Sequence, residues 1–503
     1  MGQFDLDKLL QDKKKNGMNA SFEKVQREKE VLKEMESLGL SETEYNEFLE
    51  KRDSCRPTLY DVNRVLDDLL VAEYTARMSC FVAFILADQN IYLSGLSGSG
   101  KTMIADSTLS LVLPGSIVKI ESGSEKNLLE RKRDMEKCKW VILTELNKVD
   151  SALTIEWMKS AAEHKTLSYD RGGAKPLHIE LPAKPWLVTR ALESATTNMI
   201  GTEIMSRVVE IETDSSEKQT MNILDRKAEG YKYPFRVNKI DNVYKACLRW
   251  HISQLPEIDI YINAAADLLT DIIPTTFVSA RRRYDNYVAV CAGITKMYWR
   301  DRIIGEIGGK SVIFTTPSDI IEAHIVFGQH LVDAALQITP DQKLVMKIIL
   351  ENSGITKQEI QKHLRKYSLN LSITAINTHV THLTDYGYLD IDKSSKEHIF
   401  YATDFFKRFE LKPNMSKIVE CMKNTMLSEP DYKQFADEYI ERFCNPDNMN
   451  FVNPFTGTSE NILTYKFENV FGVEEGSTRM REKEVVKEVP NKNKSAVSLT
   501  DFM

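Results

Sequence analysis

The sequence predicts an α/β protein: a parallel sheet with helices on both faces around a phosphate-binding loop, then a helical lid and a small α+β winged helix. Three observations predict it. The octapeptide Gly95–Thr102, GLSGSGKT, lies between an apolar run, Ile91–Ser94, and a helical pattern. From Ile91 to about residue 213, short apolar runs alternate with helical segments, the layout of a parallel sheet with crossover helices. Residues 340–403 read helix, turn, helix, turn, helix, strand, wing, strand.

The chain has 503 residues, 42% hydrophobic and 28% charged, with a net charge of −7. That length predicts several domains with real cores, and the charge leaves nucleic-acid contact to local patches. No stretch has 18 uncharged apolar residues, and the start lacks a basic-then-apolar leader pattern. The expectation is an intracellular, cytoplasmic protein, nucleoid-associated in a prokaryote, with no membrane partner. Seven cysteines (Cys55, Cys80, Cys138, Cys247, Cys291, Cys421, Cys444) include no C-x-x-C pair, which fits a reducing compartment and no zinc site.

In chain order, residues 1–57 are charged and helical in pattern, with Ser21 opening a helix to Leu38 and Ser41-x-x-Glu44 forming a capping box. Residues 58–216 are the sheet domain. Thr58 caps a long helix to about Ala87, candidate strands lie at 91–94, 116–121, 140–144, 186–189 and 207–213, and helices at 101–112, 125–137 and 150–163. One strand between the phosphate loop and the apolar strand 140–144 marks the additional-strand class of P-loop ATPases. Residues 217–335 read as a helical lid and 340–403 as the winged helix. Residues 404–472 read as a small helical extension, and 473–503 as a disordered, Lys/Glu-rich tail.

The loop predicts binding of ATP with Mg²⁺. Gly95, Gly98 and Gly100 let the backbone of Gly95, Leu96, Ser97, Gly98, Ser99 and Gly100 curl so that N–H groups meet phosphate oxygens. Lys101 reaches the β- and γ-phosphates, Thr102 ligates Mg²⁺, and the helix adds its positive dipole end. In KWVILTELNKVD, Glu145 stands where a water-polarising glutamate is expected, while Thr144 replaces the usual aspartate beside the metal. That departure predicts slow turnover as one possibility. Residues 163–183 alternate as a β-hairpin with Arg171-Gly-Gly-Ala-Lys175 at its tip.

The strings GLSGSGKT, VILTEL, HKTLSYDRGGAK, PWLVT, IMSRVVEIETD and FVSARRRYDNYV, spanning about residues 90–335, resemble AAA+ ATPases of the helicase clade. They are most similar to MCM-type helicases and to ATPase modules of mobile-element primases. The resemblance implies that Thr189 is a first sensor of the γ-phosphate and that Arg207 is an arginine finger for a neighbouring subunit's site. It implies that Arg281 is the second sensor, with Arg282 and Arg283 as rivals. It also implies that the hairpin carries Arg171 and Lys175 to a nucleic-acid backbone in the channel of a homo-oligomeric ring.

In the winged helix, Leu344, Ile348, Ile349, Ile360, Leu364, Ile376, Val380 and Leu383 recur at core spacing. Thr374–Tyr386 is the expected recognition helix, offering Asn377, Thr378, His379, Thr381 and His382 to DNA, with Lys393 and Lys396 in the wing. The last residues, AVSLTDFM, place Leu499, Phe502 and Met503 on one helical face, similar to a sliding-clamp-binding box. The functional expectation is an ATP-dependent DNA helicase or remodeller of the MCM-like type, acting on single- or double-stranded DNA in replication or repair. An ATP-switched origin-binding initiator or helicase loader with slow turnover is the alternative, and an interaction scaffold with a degenerate ATPase is a third.

Overall fold

A computed structural model describes residues 20–95, 98–120, 125–144, 152–171, 177–189, 204, 207–214, 217–233, 241–273, 280–336, 338–352, 354–366, 370–394, 397–404 and 412–467. The chain divides into two compact units. The first comprises residues 1–336 with 412–465, and the second 337–411 with 466–503.

The first unit opens with α1 (Ala20–Leu38) and α2 (Glu42–Lys51). The predicted capping box starts α2: the Ser41 N–H donates to Glu44 Oε2 at 2.8 Å and the Glu44 N–H returns to Ser41 Oγ. Thr58 with Asp61 repeats the device at the start of α3 (Leu59–Leu69). The long helix expected from Thr58 to Ala87 is corrected. It breaks at Ala72 and Glu73, both left-handed (φ +53° and +55°), and resumes as α4 (Tyr74–Cys80), continued by a π-helical turn, Phe81–Leu86. The cause is Arg77, whose side chain is fully buried. Its Nη1 donates to the carbonyls of Leu70 and Ala72, its Nε and Nη2 to Asn63 Oδ1, and its Nη2 pairs with Asp67. A buried guanidinium demands acceptors all round, and the bent chain supplies them.

The sheet strands follow: β1 (Ile91–Ser94), β2 (Ile117–Ile120) and β3 (Trp140–Leu143), with α5 (Lys101–Leu109), α6 (Glu125–Glu130) and α7 (Lys132–Lys137) between them. The single helix expected at 125–137 is thus two. Next come α8 (Ala152–Ala162), the antiparallel hairpin β4 (Leu167–Arg171) and β5 (Leu177–Leu181), then β6 (Trp186–Thr189) and β7 (Val209–Glu212). The five strands outside the hairpin form one parallel sheet, in the order β2-β3-β6-β1-β7. Strands β1, β3 and β6 are buried along their whole length, as a sheet covered on both faces requires. Tyr92, Val141, Leu143, Trp186 and Val188 face Leu128, Met135, Leu153, Trp157 and Met158 of the helices on one side. Ile91, Leu93, Ile142 and Leu187 alternate to the other. There the π-helical turn lies close to the later helix Ala280–Met297: a Cβ on Gly293 would come within 2.9 Å of the Leu86 carbonyl carbon.

Beyond the sheet lie α9 (Glu217–Lys232), α10 (Asn242–Ser253), α11 (Ala280–Met297) and α12 (Pro317–Leu336). The all-helical lid is corrected too, because β8 (Ile260–Ile262), β9 (Ile304–Ile307) and β10 (Lys310–Phe314) make a mixed sheet in the order β8-β10-β9. Among the described residues, no single helix is long and apolar enough to cross a membrane.

The second unit contains α13 (Pro340–Glu351), β11 (Ile355–Thr356), α14 (Lys357–Lys366), α15 (Ile373–Asp385), β12 (Leu389–Asp392) and β13 (Ile399–Ala402). Its sheet order is β11-β13-β12, antiparallel throughout. This is the winged-helix layout. The expected core residues are buried except Leu344, which is half-buried beside the buried Val345 and Met346.

The chain then returns to the first unit. Helices α16 (Met415–Ser428) and α17 (Lys433–Phe443) and the hairpin β14 (Asn450–Val452) and β15 (Ser459–Asn461) pack there. Phe314 of β10 meets the rings of Tyr432, Phe435 and Tyr439, and Tyr439 donates its hydroxyl to the Thr315 carbonyl at 2.7 Å. The separate small helical extension expected at 404–472 is therefore corrected: it carries a hairpin and completes the core of the first unit.

Candidate nucleotide site and nucleic-acid interface

The phosphate loop leaves the carboxyl end of β1, where ligands sit in open α/β sheets. Gly95 has φ +149°, and a Cβ there would lie 2.0 Å from Thr213 Oγ1 and 2.7 Å from Ser99 Oγ. No side chain fits. Gly98 and Gly100 are left-handed (φ +80° and +91°), and Gly100 precedes the first residue of α5. The Lys101 side chain folds back over the loop, 9% exposed, with Nζ donating to the Gly95 carbonyl at 2.9 Å and to Ser99 Oγ at 3.4 Å. Ser99 Oγ is 2.6 Å from Thr213 Oγ1, which also donates to the Ser94 carbonyl at 3.3 Å. Thr102 is exposed in the first turn of α5. Leu96 and Ser97 lie outside the described residues.

Three strand ends line up beside this loop. Leu93 is in register with Thr189, and Val188 with Leu143, so Leu93, Thr189 and Thr144 occupy one level across β1, β6 and the end of β3, with Ser94 one residue further along β1. Thr189 is buried and Thr144 half-buried, with the Thr144 N–H on the Ile120 carbonyl at 3.2 Å. Glu145 lies outside the described residues. Among the described residues no group of His, Cys, Asp and Glu could hold a metal ion by itself. A hydroxyl shared with nucleotide phosphates is the donor set on offer for Mg²⁺, and Thr102 fits it.

On the far side of the sheet order, Arg207 pairs within its own chain with Glu163 Oε1. Glu163 also accepts from Lys165 Nζ at 2.8 Å, and its carboxyl is held low by that bond first, then by Arg207 and Arg282. Of the three candidate second sensors, Arg281 and Arg282 are exposed. Arg283 instead donates to the Val208 carbonyl at 2.9 Å, and burial pulls its guanidinium pKa down. The hairpin strands form, but the Arg171 side chain and Lys175 fall outside the described residues.

Two features near these sites were missed from the sequence. Thr213, the first residue past β7, locks the loop through Ser99; its only signal was a polar residue at a strand end. Glu73 is pushed up to about 8 by burial first and then by Asp214, whose N–H it accepts at 3.0 Å; its helical residue type hid it.

In the second unit, Ser372 caps α15, and Asn377, Thr378, Thr381 and His382 are exposed. Thr378 donates back to the Thr374 carbonyl at 3.2 Å, and His379 sits half-buried, 3.9 Å from Asp341. Lys393 is exposed in the wing, and Lys396 lies outside the described residues. The cations that α15 lacks come from α14: Lys362 and Arg365 are exposed, and Lys357 reaches Asn377 Oδ1 across the Phe400 ring. Leu499, Phe502 and Met503 lie outside the described residues.

These features define an α/β unit with a five-stranded parallel sheet and a glycine-rich loop at the end of β1, and a winged-helix unit. The family model for penicillinase repressor matches residues 338–426, under a fifth of the chain. No curated protein matches. The resemblance to MCM-type helicases is thereby corrected, since the family matched over the winged helix is that of a repressor. Apart from the phosphate loop, the strings that suggested the resemblance are five to twelve residues long and individually weak.

Proposed function

We propose that the chain is a P-loop ATPase with an AAA+-type core fold that couples ATP binding and turnover to remodelling of DNA held by its winged helix. The observation that carries the reading is Lys101, folded over a glycine loop at the carboxyl end of β1, with its Nζ on the Gly95 carbonyl. The strand order β2-β3-β6-β1-β7, with two strands beyond β6, supports the additional-strand class of such ATPases. The repressor-family match over 338–426 supports duplex DNA as the ligand of the winged helix.

In this reading the loop N–H groups and Lys101 hold the triphosphate. Thr102 would ligate the Mg²⁺ that neutralises it, and Thr189 ends β6, the strand beside β1. A second reading, an ATP-held switch with slow turnover, is favoured by Thr144 at the position where an acidic side chain would steady the metal. The test measures ATP affinity, ATPase rate with and without single- and double-stranded DNA, and particle mass in ATP. Lys101→Ala should abolish ATP binding. Unchanged nucleotide affinity in that variant would overturn the proposal, while tight binding with no DNA-stimulated turnover would favour the switch.

A further inference from the structure

The α1–α2 arm is held on α10 by an apolar cluster: Leu38, Tyr45 and Phe48 pack against Val243, Ala246 and Cys247, with Cys55 and Trp250 at its edge. Within it two unpaired thiols meet. Cys247, buried in the middle of α10, belongs to the cluster on which Cys55, partly exposed in the turn after α2, packs. The turn is fixed, because Arg300 Nη1 donates to the carbonyls of Asp53 and Cys55, and Arg56 Nη1 to that of Cys55. Two guanidinium groups therefore stand beside Cys55.

We propose that Cys55 and Cys247 are a peroxide-responsive pair whose disulfide staples the N-terminal arm to α10. Thiolate character controls cysteine reactivity. The neighbouring Cys247 thiol, first, and then Arg300 and Arg56 hold the Cys55 thiol below its ordinary range against burial and Asp61. Cys55, the partly exposed thiol, is thus the attacking sulfur, and the buried Cys247 the resolving one. The Cys55 thiolate attacks one oxygen of hydrogen peroxide, the O–O bond breaks, and the hydroxide released takes a proton and leaves as water. Cys247 gives up its proton and attacks the resulting sulfenic sulfur. The S–S bond forms, the S–O bond breaks, and a second water leaves. Two thiols are oxidised and one peroxide is reduced.

The staple would bear on the phosphate loop through α10. Arg249 donates to the Ser110 carbonyl at 2.6 Å, just past α5, and to the Leu38 carbonyl of the arm at 3.2 Å. Cys421 is the internal control. It is also partly exposed, but it faces Asp267 and the Ala264 carbonyl, and burial raises its pKa.

The test treats the full chain with stoichiometric hydrogen peroxide and maps thiols by non-reducing peptide mass spectrometry. Cys55 and Cys247 should appear in one linked peptide pair, formed about tenfold faster than Cys421 is modified. After limited proteolysis the arm should stay attached until a reductant is added. In Cys247→Ser, a dimedone adduct should accumulate on Cys55; in Cys55→Ser, Cys247 should stay reduced. Faster oxidation of Cys421, or a dimer linked through Cys55 as the main product of the unmutated chain, would overturn the proposal.

Discussion

Glu322 makes the stability of the first unit depend on pH in a direction opposite to that of most carboxylates, and Glu322→Gln should remove the dependence. The side chain is 3% exposed on α12 and accepts the Tyr298 hydroxyl at 2.6 Å, while Tyr298 in turn accepts the Leu59 N–H at 3.1 Å. Asp319, one turn earlier, is already committed to Arg302, Thr295 and the Thr316 N–H. Burial first, reinforced by Asp319 and opposed by the Tyr298 bond and Arg302, pushes Glu322 up to about 8 from an ordinary 4.5. A raised carboxyl binds its proton more tightly in the folded state. Its contribution is therefore full below the unfolded pKa and is lost as pH rises through the folded one. The shift corresponds to at most about 5 kcal/mol, spread between about pH 4.5 and pH 8. Gln copies the neutral acid in shape and still accepts from Tyr298. The variant should match the unmutated protein at pH 5 and be more stable by about 2–5 kcal/mol at pH 9. All five tryptophans (Trp140, Trp157, Trp186, Trp250, Trp299) belong to the first unit, so urea unfolding followed by tryptophan fluorescence reads that unit. Parallel pH profiles for the two proteins would show that Glu322 is ionised in the fold and would refute the reasoning.

Gly95→Ala should abolish nucleotide binding in a dye-labelled ATP titration, because the new Cβ would collide with Thr213 Oγ1 at 2.0 Å; retained affinity would mean that the loop relaxes freely. Removing Lys357, Lys362 and Arg365 together should weaken duplex binding and lower its salt slope by about 2–3, whereas an unaltered slope would place the phosphate contacts elsewhere. A chain ending at Leu336 should show a lower urea midpoint for the tryptophan transition than one lacking only residues 338–411 and rejoined by a flexible linker, because only the first exposes Phe314 and unpairs the Thr315 carbonyl. Equal midpoints would mean that α16 and α17 add nothing to the core.

The sheet was legible because its strands carry their burial in their composition. Ile91–Ser94, Trp140–Leu143 and Trp186–Thr189 are apolar runs that end in, or are followed by, a polar residue, and a fully covered parallel strand has little choice but to look like that. The glycines of the loop were legible for the same kind of reason: Gly95 has no space for a side chain. What escaped was set by distant partners. Ala72 and Glu73 are good helix formers, and nothing local marks them as left-handed; the buried Arg77 takes the Leu70 and Ala72 carbonyls and so breaks the helix. Strand β8 pairs with β10 in the distant register Ile260↔Val312, and a three-residue strand carries too short a period to read. Lys357 looked like a solvated charge at a helix start until the fold brought Asn377 to it.

The match to penicillinase repressor runs past the winged helix, from 338 to 426, and so takes in most of α16. In this chain that stretch is divided between the two units. Residues up to 411 stay with the winged helix, while Met415, Ile418, Val419, Met422 and Met426 are buried in the first unit. A helix with five apolar residues on one face needs a surface to cover it. Here the neighbouring surface belongs to the same chain: α16 packs with α12 and α17, and the Tyr439 hydroxyl approaches Met422 Sδ at 3.3 Å. Once that face is used internally, the winged-helix stretch 337–411 is joined to the first unit at both of its ends, near residues 336 and 412. Two tethers restrict a domain's freedom more than one.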